Sequence, residues 1–408
     1  MDEMSVATHE HQALTAEQVR LPAGHWAGKV PAIGGVVGFA ALAGAFALGQ
    51  GDTKQLAFSF HTAYLYFLSL ALGGLFFVII QHAVAAGWSV VVRRFAEAIM
   101  GTLPLFAILF IPMIFGMHTL FHHWTDAEVL ATDVLIQAKQ PYLNEPFFFL
   151  RAAIYFVAWL GMAWFFYSNS TKQDTTGDHA LTRRMRKWSY PFIAAFGLTL
   201  SFAALDWIMS LDPHWYSTMF GVYYFAGAVV GIYATLLIVT SLFRGIRDIG
   251  HAITVEHQHD LGKLMFGHTA FWAYITFSQY FLIWYANIPE ETLWFLHRYE
   301  HGWMAFGISL MVGHFILPFL FLLPRTVKRT RFLVTFAAVW MLVMHYVDLF
   351  YMIMPTARKH AYLSPVDLLC FVGVGGLFVA WMFALLKRRA LIPVKDPLLP
   401  ESLAFENY

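Results

Sequence analysis

Long apolar runs dominate the chain, and its polar residues fall into short intervals between them. Runs near 20 residues match the roughly 30 Å hydrocarbon core of a bilayer. Ten are read, at about 29–49, 58–82, 96–117, 147–168, 190–211, 218–243, 264–286, 303–323, 331–353 and 367–386. This pattern predicts an all-α polytopic membrane protein with ten transmembrane helices. Lys and Arg, which favour the cytoplasmic side, then give the direction. With both termini inside, 20 of the 26 positive residues are cytoplasmic, and Lys54, Lys139, Arg298, Arg358 and Lys359 face outside. Arg151 lies within the fourth run. The first 28 residues lack the basic start and apolar core of a signal peptide, so a cytoplasmic amino-terminal tail is expected.

The fifth and ninth runs share a spacing. LDWIMSLDP (205–213) and VDLFYMIMP (347–355) each place an aspartate seven residues before a proline, and four runs separate them. Internal repetition is a fold-level signal, here suggesting two four-helix bundles at 58–211 and 212–353. A tail (1–28) and a flanking helix with its loop (29–57) precede them. The tenth helix with its loop (354–386) and a second tail (387–408) follow.

Asp206 and Asp348 are the acids of that repeat. A carboxylate at bilayer depth costs about 2.5–3.5 kcal/mol on insertion scales, so each needs a cation, water or a proton. His345 lies three residues before Asp348 and shares its helix face, and a histidine–carboxylate pair can pass a proton. Arg151 is the expected counter-ion of Asp206. His61 and Tyr64 share a face at the outer end of the second run. Glu97, His268 and, near mid-membrane, His314 complete a proposed proton path through two half-channels. The competing reading makes each a satisfied polar group that ties helices together, with Arg93 one turn before Glu97 as an example.

Composition narrows the classes. Hydrophobic residues make up 59% and charged residues 12% of 408, with a net charge of +1; soluble proteins carry about 25% charged residues. No basic stripe or nucleic-acid module appears. One cysteine, Cys370, leaves this chain without an intrachain disulfide, a CxxCH haem site or a four-cysteine cluster site. The histidines do not form the facing pairs that a transmembrane b-haem needs. The glycine-rich first run and GVGGLFVA (372–379) read as small-residue helix packing rather than as the unwound helices of a solute carrier. The outside loop 118–146, acidic and rich in histidine and aromatics, is a candidate docking surface.

The segment KQPYLNEPFFFLRAAIYF (139–156) resembles the K-x-x-Y-L-N-x-x-F-F-x-x-R pattern of the NrfD-like family, the membrane subunits of polysulfide-reductase-type complexes. LDWIMSLDPHWYSTMFGVYYFAG (205–227) and PVKDPLLPESLAFEN (393–407) are similar to the alternative complex III branch of that family, a bacterial quinol:cytochrome c oxidoreductase. The positions carrying the match are Lys139, Tyr142, Asn144, Arg151, Asp206 and Asp212. The resemblance implies a cofactor-free subunit of the bacterial cytoplasmic membrane. It implies a sister NrfD-like membrane subunit, an extracytoplasmic iron–sulfur subunit, c-type cytochrome subunits and an associated terminal oxidase as partners. Iron–sulfur clusters and c-type haems would be held by those partners, with quinol as the substrate of the complex. This chain would conduct protons or anchor the redox subunits. The alternative, a quinol site of its own, requires an apolar, lipid-accessible pocket near His61 or Asp206.

Overall fold

The computed structural model describes residues 14–407, and all of their regular structure is helical. The part of the amino-terminal tail before Leu14, and Tyr408, lie outside the described residues. The long helices are α1 (Val30–Gly49), α2 (Thr53–Ala83), α3 (Gly87–Phe115), α4 (Glu145–Thr176), α5 (His179–Trp207), α6 (Phe220–Phe243), α7 (Val255–Ala286), α8 (Trp303–Leu322), α9 (Arg331–Ala357) and α10 (Pro365–Arg388). Nine of these, among the described residues, are long and apolar enough to cross a membrane. The remaining one, α7, contains the seventh run. It is 32 residues long, but Trp272, Tyr274, Gln279, Tyr280 and Tyr285 dilute its apolar character.

Local chemistry sets the helix ends. Asn144 caps α4 by accepting from the Phe147 amide at 3.0 Å, a helix N-cap. Gly177, at φ +69°, ends α4, and Asp178 caps α5. Prolines 104 and 112 begin new turns within α3, which is consequently segmented.

The two central helices are α2 and α6, with 89% and 83% of their apolar stretches buried, against 22% for α1. Helix α2 packs on α3, α4 and α5, while α6 packs on α7 and α9; α2 also touches α6 and α9, and α5 touches α6. The α1–α10 pair leans on α2.

Polar contacts close the two ends of the molecule. At one end, here the loop face, Trp124 Nε1 donates to the Ser210 carbonyl at 3.1 Å and Trp215 Nε1 to that of Glu291 at 3.0 Å. At the other, the tail face, the carboxy-terminal segment is a strap. Arg93 donates to Asp396, Ser402 Oγ donates to the Trp88 carbonyl, and Lys263 donates to Asn407.

On the loop face, Arg298 is buried without a carboxylate in hydrogen-bonding reach. Pro355 lies inside α9 and has no N–H, which frees the Tyr351 carbonyl four residues back. Arg298 donates to that carbonyl and to those of Met352 and Trp294, with its guanidinium 3.4 Å from the Trp294 ring centroid. Burial lowers its pKa to about 10.

The α1–α10 contact depends on the small residues expected there. A Cβ at Gly38 would lie 2.9 Å from the Gly373 carbonyl and the Leu377 amide, whereas one at Gly35 would meet nothing within 4 Å. Gly38→Leu should therefore lower stability by about 1–3 kcal/mol through overpacking, and Gly35→Leu should leave it unchanged, as read by thermal unfolding in detergent.

Candidate functional site

Five carboxylates are buried among the described residues: Glu97, Asp206, Asp348, Asp367 and Asp396. Four of them meet an arginine. Asp206, in the last turn of α5, forms a two-pronged pair with Arg151 of α4: Nε to Oδ2 at 2.7 Å and Nη2 to Oδ1 at 2.9 Å. Tyr155 donates to the same carboxylate at 2.7 Å. Arg151 also donates to the Tyr142 carbonyl at 2.8 Å, and its guanidinium lies 3.9 Å from the Tyr142 ring centroid. Segment 139–156 thus builds a closed ion pair with Asp206. Lys139 donates to the Pro213 carbonyl and fixes the loop beyond α5, and Asp212 is half-buried beside it. His61 Nε2 donates to the Trp207 carbonyl at 2.6 Å, and Tyr64 donates to that of Phe106 at 3.2 Å.

Asp348 of α9 is different. Tyr223 of α6 donates to Oδ1 at 2.5 Å and Trp272 Nε1 of α7 to Oδ2 at 2.9 Å, and no cation lies within ion-pair distance among the described residues. His345 and Asp348 do face the same glycine, Gly227 of α6, but no hydrogen bond joins them. This corrects the direct pair expected from their spacing. Ser69 of α2 explains the change. Its hydroxyl gives its one proton to the Tyr66 carbonyl at 2.6 Å, so it accepts from His345 Nε2 at 2.7 Å. In the neutral imidazole, Nδ1 is then a bare acceptor without a partner.

His314 is fully buried, both ring nitrogens lack partners among the described residues, and its ring stacks on Trp272 with centroids 3.8 Å apart. It lies in a π-helical stretch of α8, Leu310–Ile316, where Trp340 Nε1 donates to the Gly313 carbonyl at 2.7 Å. Aromatic wall, imidazoles and acid therefore meet where α6, α7, α8 and α9 converge. Tyr223, Trp272 and Ser69 carry no sequence signal of this role, because their types are common in any membrane helix.

On the tail face, Glu97 pairs with Arg94 at 3.0 Å and lies 3.8 Å from Arg93, and Ser170 donates to it at 3.0 Å. Arg94 also holds Asp174 at 2.7 Å. Glu97 is thus part of a network that extends beyond the expected Arg93 bridge. His268 donates through Nδ1 to the Leu264 carbonyl at 2.8 Å and lies beside Tyr233; hydrogen bonds connect it to neither the Glu97 network nor Asp348. A further acid, Asp367 at the start of α10, pairs with Arg358 at 2.9 Å and accepts from Ser59 at 2.6 Å.

A cavity of about 370 Å³ on the loop face is lined by Tyr142, Leu205, Met209 and Ser210, near Asp206 but with neither Asp206 nor His61 in its wall. A second, about 530 Å³, lies between α7 and α8. Among the described residues, no group of three or more His, Cys, Asp or Glu converges as a metal-ligand set. No known family model matches the chain, and no curated protein sequence matches it.

The loop-face residues titrate outside the helices. Burial pulls the Lys139 ammonium pKa down, against Asp212 and Asp133, which raise it. Asp133 is held below its usual range, first by its hydrogen bond to His214 (2.5 Å), then by backbone amides. A depressed carboxylate pKa contributes stability that is present above the unfolded value, near 4, and lost as pH falls through the folded value. Hydrogen exchange in 127–139 should therefore accelerate as pH drops below about 4, and His214→Ala should move that onset upward.

Proposed function

We propose that this chain is an ActF-like, cofactor-free membrane subunit of a bacterial alternative complex III, in which Asp348 is the proton-exchanging acid. In this reading α7 is the tenth crossing, the helices form two four-helix bundles, and both tails lie in the cytoplasm. Extracytoplasmic iron–sulfur and c-type cytochrome subunits dock on the loop face, a sister NrfD-like subunit and a terminal oxidase associate within the membrane, and quinol is oxidised by the complex. The residue resemblance and the Lys/Arg asymmetry support the assignment.

The observation that carries the mechanism is the contrast between the repeated acids. Asp206 is neutralised by a permanent cation with which it shares two hydrogen bonds. Asp348 is bound only by the neutral donors Tyr223 and Trp272. A carboxylate–guanidinium pair in a low-dielectric interior is a stable brace, because losing either charge leaves the other unpaired. An acid held by a hydroxyl can gain or lose a proton while Tyr223 reverses from donor to acceptor. Asp206 and Arg151 thus leave the proton path and become its scaffold. His345 and His314, with bare nitrogens beside Asp348 and Trp272, are the groups nearest at hand to relay a proton.

The four braced acids favour one rival, a purely structural anchor. In the purified, reconstituted complex, Asp348→Asn should assemble normally and lower proton movement per electron. Asp206→Asn should lose about 3–5 kcal/mol of stability from the unpaired arginine, with unchanged stoichiometry in what assembles. Equal stoichiometry in wild type and Asp348→Asn would reduce the chain to an anchor.

A further inference from the structure

The cleft between α7 and α8 is not used by the acid–imidazole set, although it ends against it. Its roughly 530 Å³ is walled by aromatic and aliphatic side chains, and no charged residue lines it. Phe277 of α7 (63% exposed) and Ile308 and Met311 of α8 (49% and 56%) flank its opening. On a helix lying in a bilayer, exposed apolar faces meet hydrocarbon, so the cleft opens sideways into lipid.

Its shape follows from α8. Helix α7 packs on the π-helical part of α8 and on Leu317–Leu322, while Leu310, Met311, Phe315 and Ile316 of the π stretch form the wall. The polar groups are graded along it. Towards the loop face, the Gln279 carbonyl oxygen accepts from Ser217 at 2.8 Å, and Tyr299 donates to Tyr280 at 2.8 Å. At the deep end, the Tyr223 hydroxyl and the Trp272 N–H are both committed to Asp348. Among the described residues the Thr276 hydroxyl beside them is buried without a partner, so an incoming polar head would give up its water at the deep end for one hydrogen bond at most. A hydrocarbon chain loses nothing there and buries its surface.

We propose that this cleft binds one acyl chain of a membrane phospholipid, which enters between α7 and α8 with its ester end towards Gln279, Tyr280 and Tyr299. The chain covers Tyr223 and Trp272, the donors to Asp348, and keeps water from reaching them through the gap. The binding site rests on the cleft geometry and on the reading of α7 as a crossing helix. Its effect on Asp348 rests on the proton-exchange reading, and the two fail separately because binding is measured without turnover.

The test uses the full-length protein in vesicles of phosphatidylethanolamine carrying a diazirine in one acyl chain. Photolabelling should concentrate on 272–280 and 304–316, about tenfold above the exposed α1 face at Val36 and Phe39, a difference of roughly 1.4 kcal/mol. Ala273→Phe and Ile308→Trp, which fill the cleft, should each remove most of this labelling and leave that of α1 intact, with thermal unfolding reporting an intact fold. Equal labelling of cleft and α1, or labelling unaffected by both fillings, overturns the proposal. Preferential labelling of the cleft by a photoreactive isoprenoid quinone, displacing the acyl probe, overturns it in favour of a ring-headed lipid.

Discussion

A charge held between apolar helices has to be answered by an opposite charge, a dense set of hydrogen bonds or a proton, because the interior solvates it poorly. This constraint orders the molecule. Arg151 answers Asp206, Arg94 answers Glu97, Arg358 answers Asp367 and Arg93 answers Asp396. The Asp206 and Asp396 pairs join elements distant in sequence, Arg358 with Asp367 joins the end of α9 to the start of α10, and Arg94 with Glu97 braces α3 itself. Arg298 is the reverse case, a buried cation answered by backbone carbonyls, one of which Pro355 has released. Asp348 alone among these acids is left with neutral partners, Tyr223 and Trp272.

The same constraint organises the two ends. The carboxy-terminal strap places Asp396 against Arg93 and Ser402 against the start of α3, while the loop face is closed by indole N–H groups on carbonyls and by Arg358 with Asp367. Between these locked ends, α8 carries a π-helical stretch beside His314. π-Helical turns often accompany functional sites, and here the stretch borders both the buried His314 imidazole and the α7–α8 cleft.

The Asp-x6-Pro repeat shows how far a motif can be read. Its aspartates lie in α5 and α9, but Pro213 lies beyond the end of α5 while Pro355 lies within α9. The counter-ion of Asp206 was legible because Arg151 is a rare charge in an apolar run. The partner of His345 was not, because a serine in a membrane helix has no distinguishing signature and its proton balance depends on the Tyr66 carbonyl. Glu97 was legible as an interfacial charge, but Asp174 and Asp396, the partners of its arginines, come from separate segments.

What the amino-acid order determined by itself were the properties that depend on neighbouring residues: where apolar runs begin and end, where small residues allow helices to pack closely, and which ionisable groups are out of place in an apolar run. The partners of those groups were decided only in three dimensions. The donors to Asp348 come from 76 and 125 residues away, and Arg151 lies 55 residues from Asp206. Hydropathy sums along a segment, whereas the field at a buried carboxyl is set by whichever side chains the packing brings within about 3 Å.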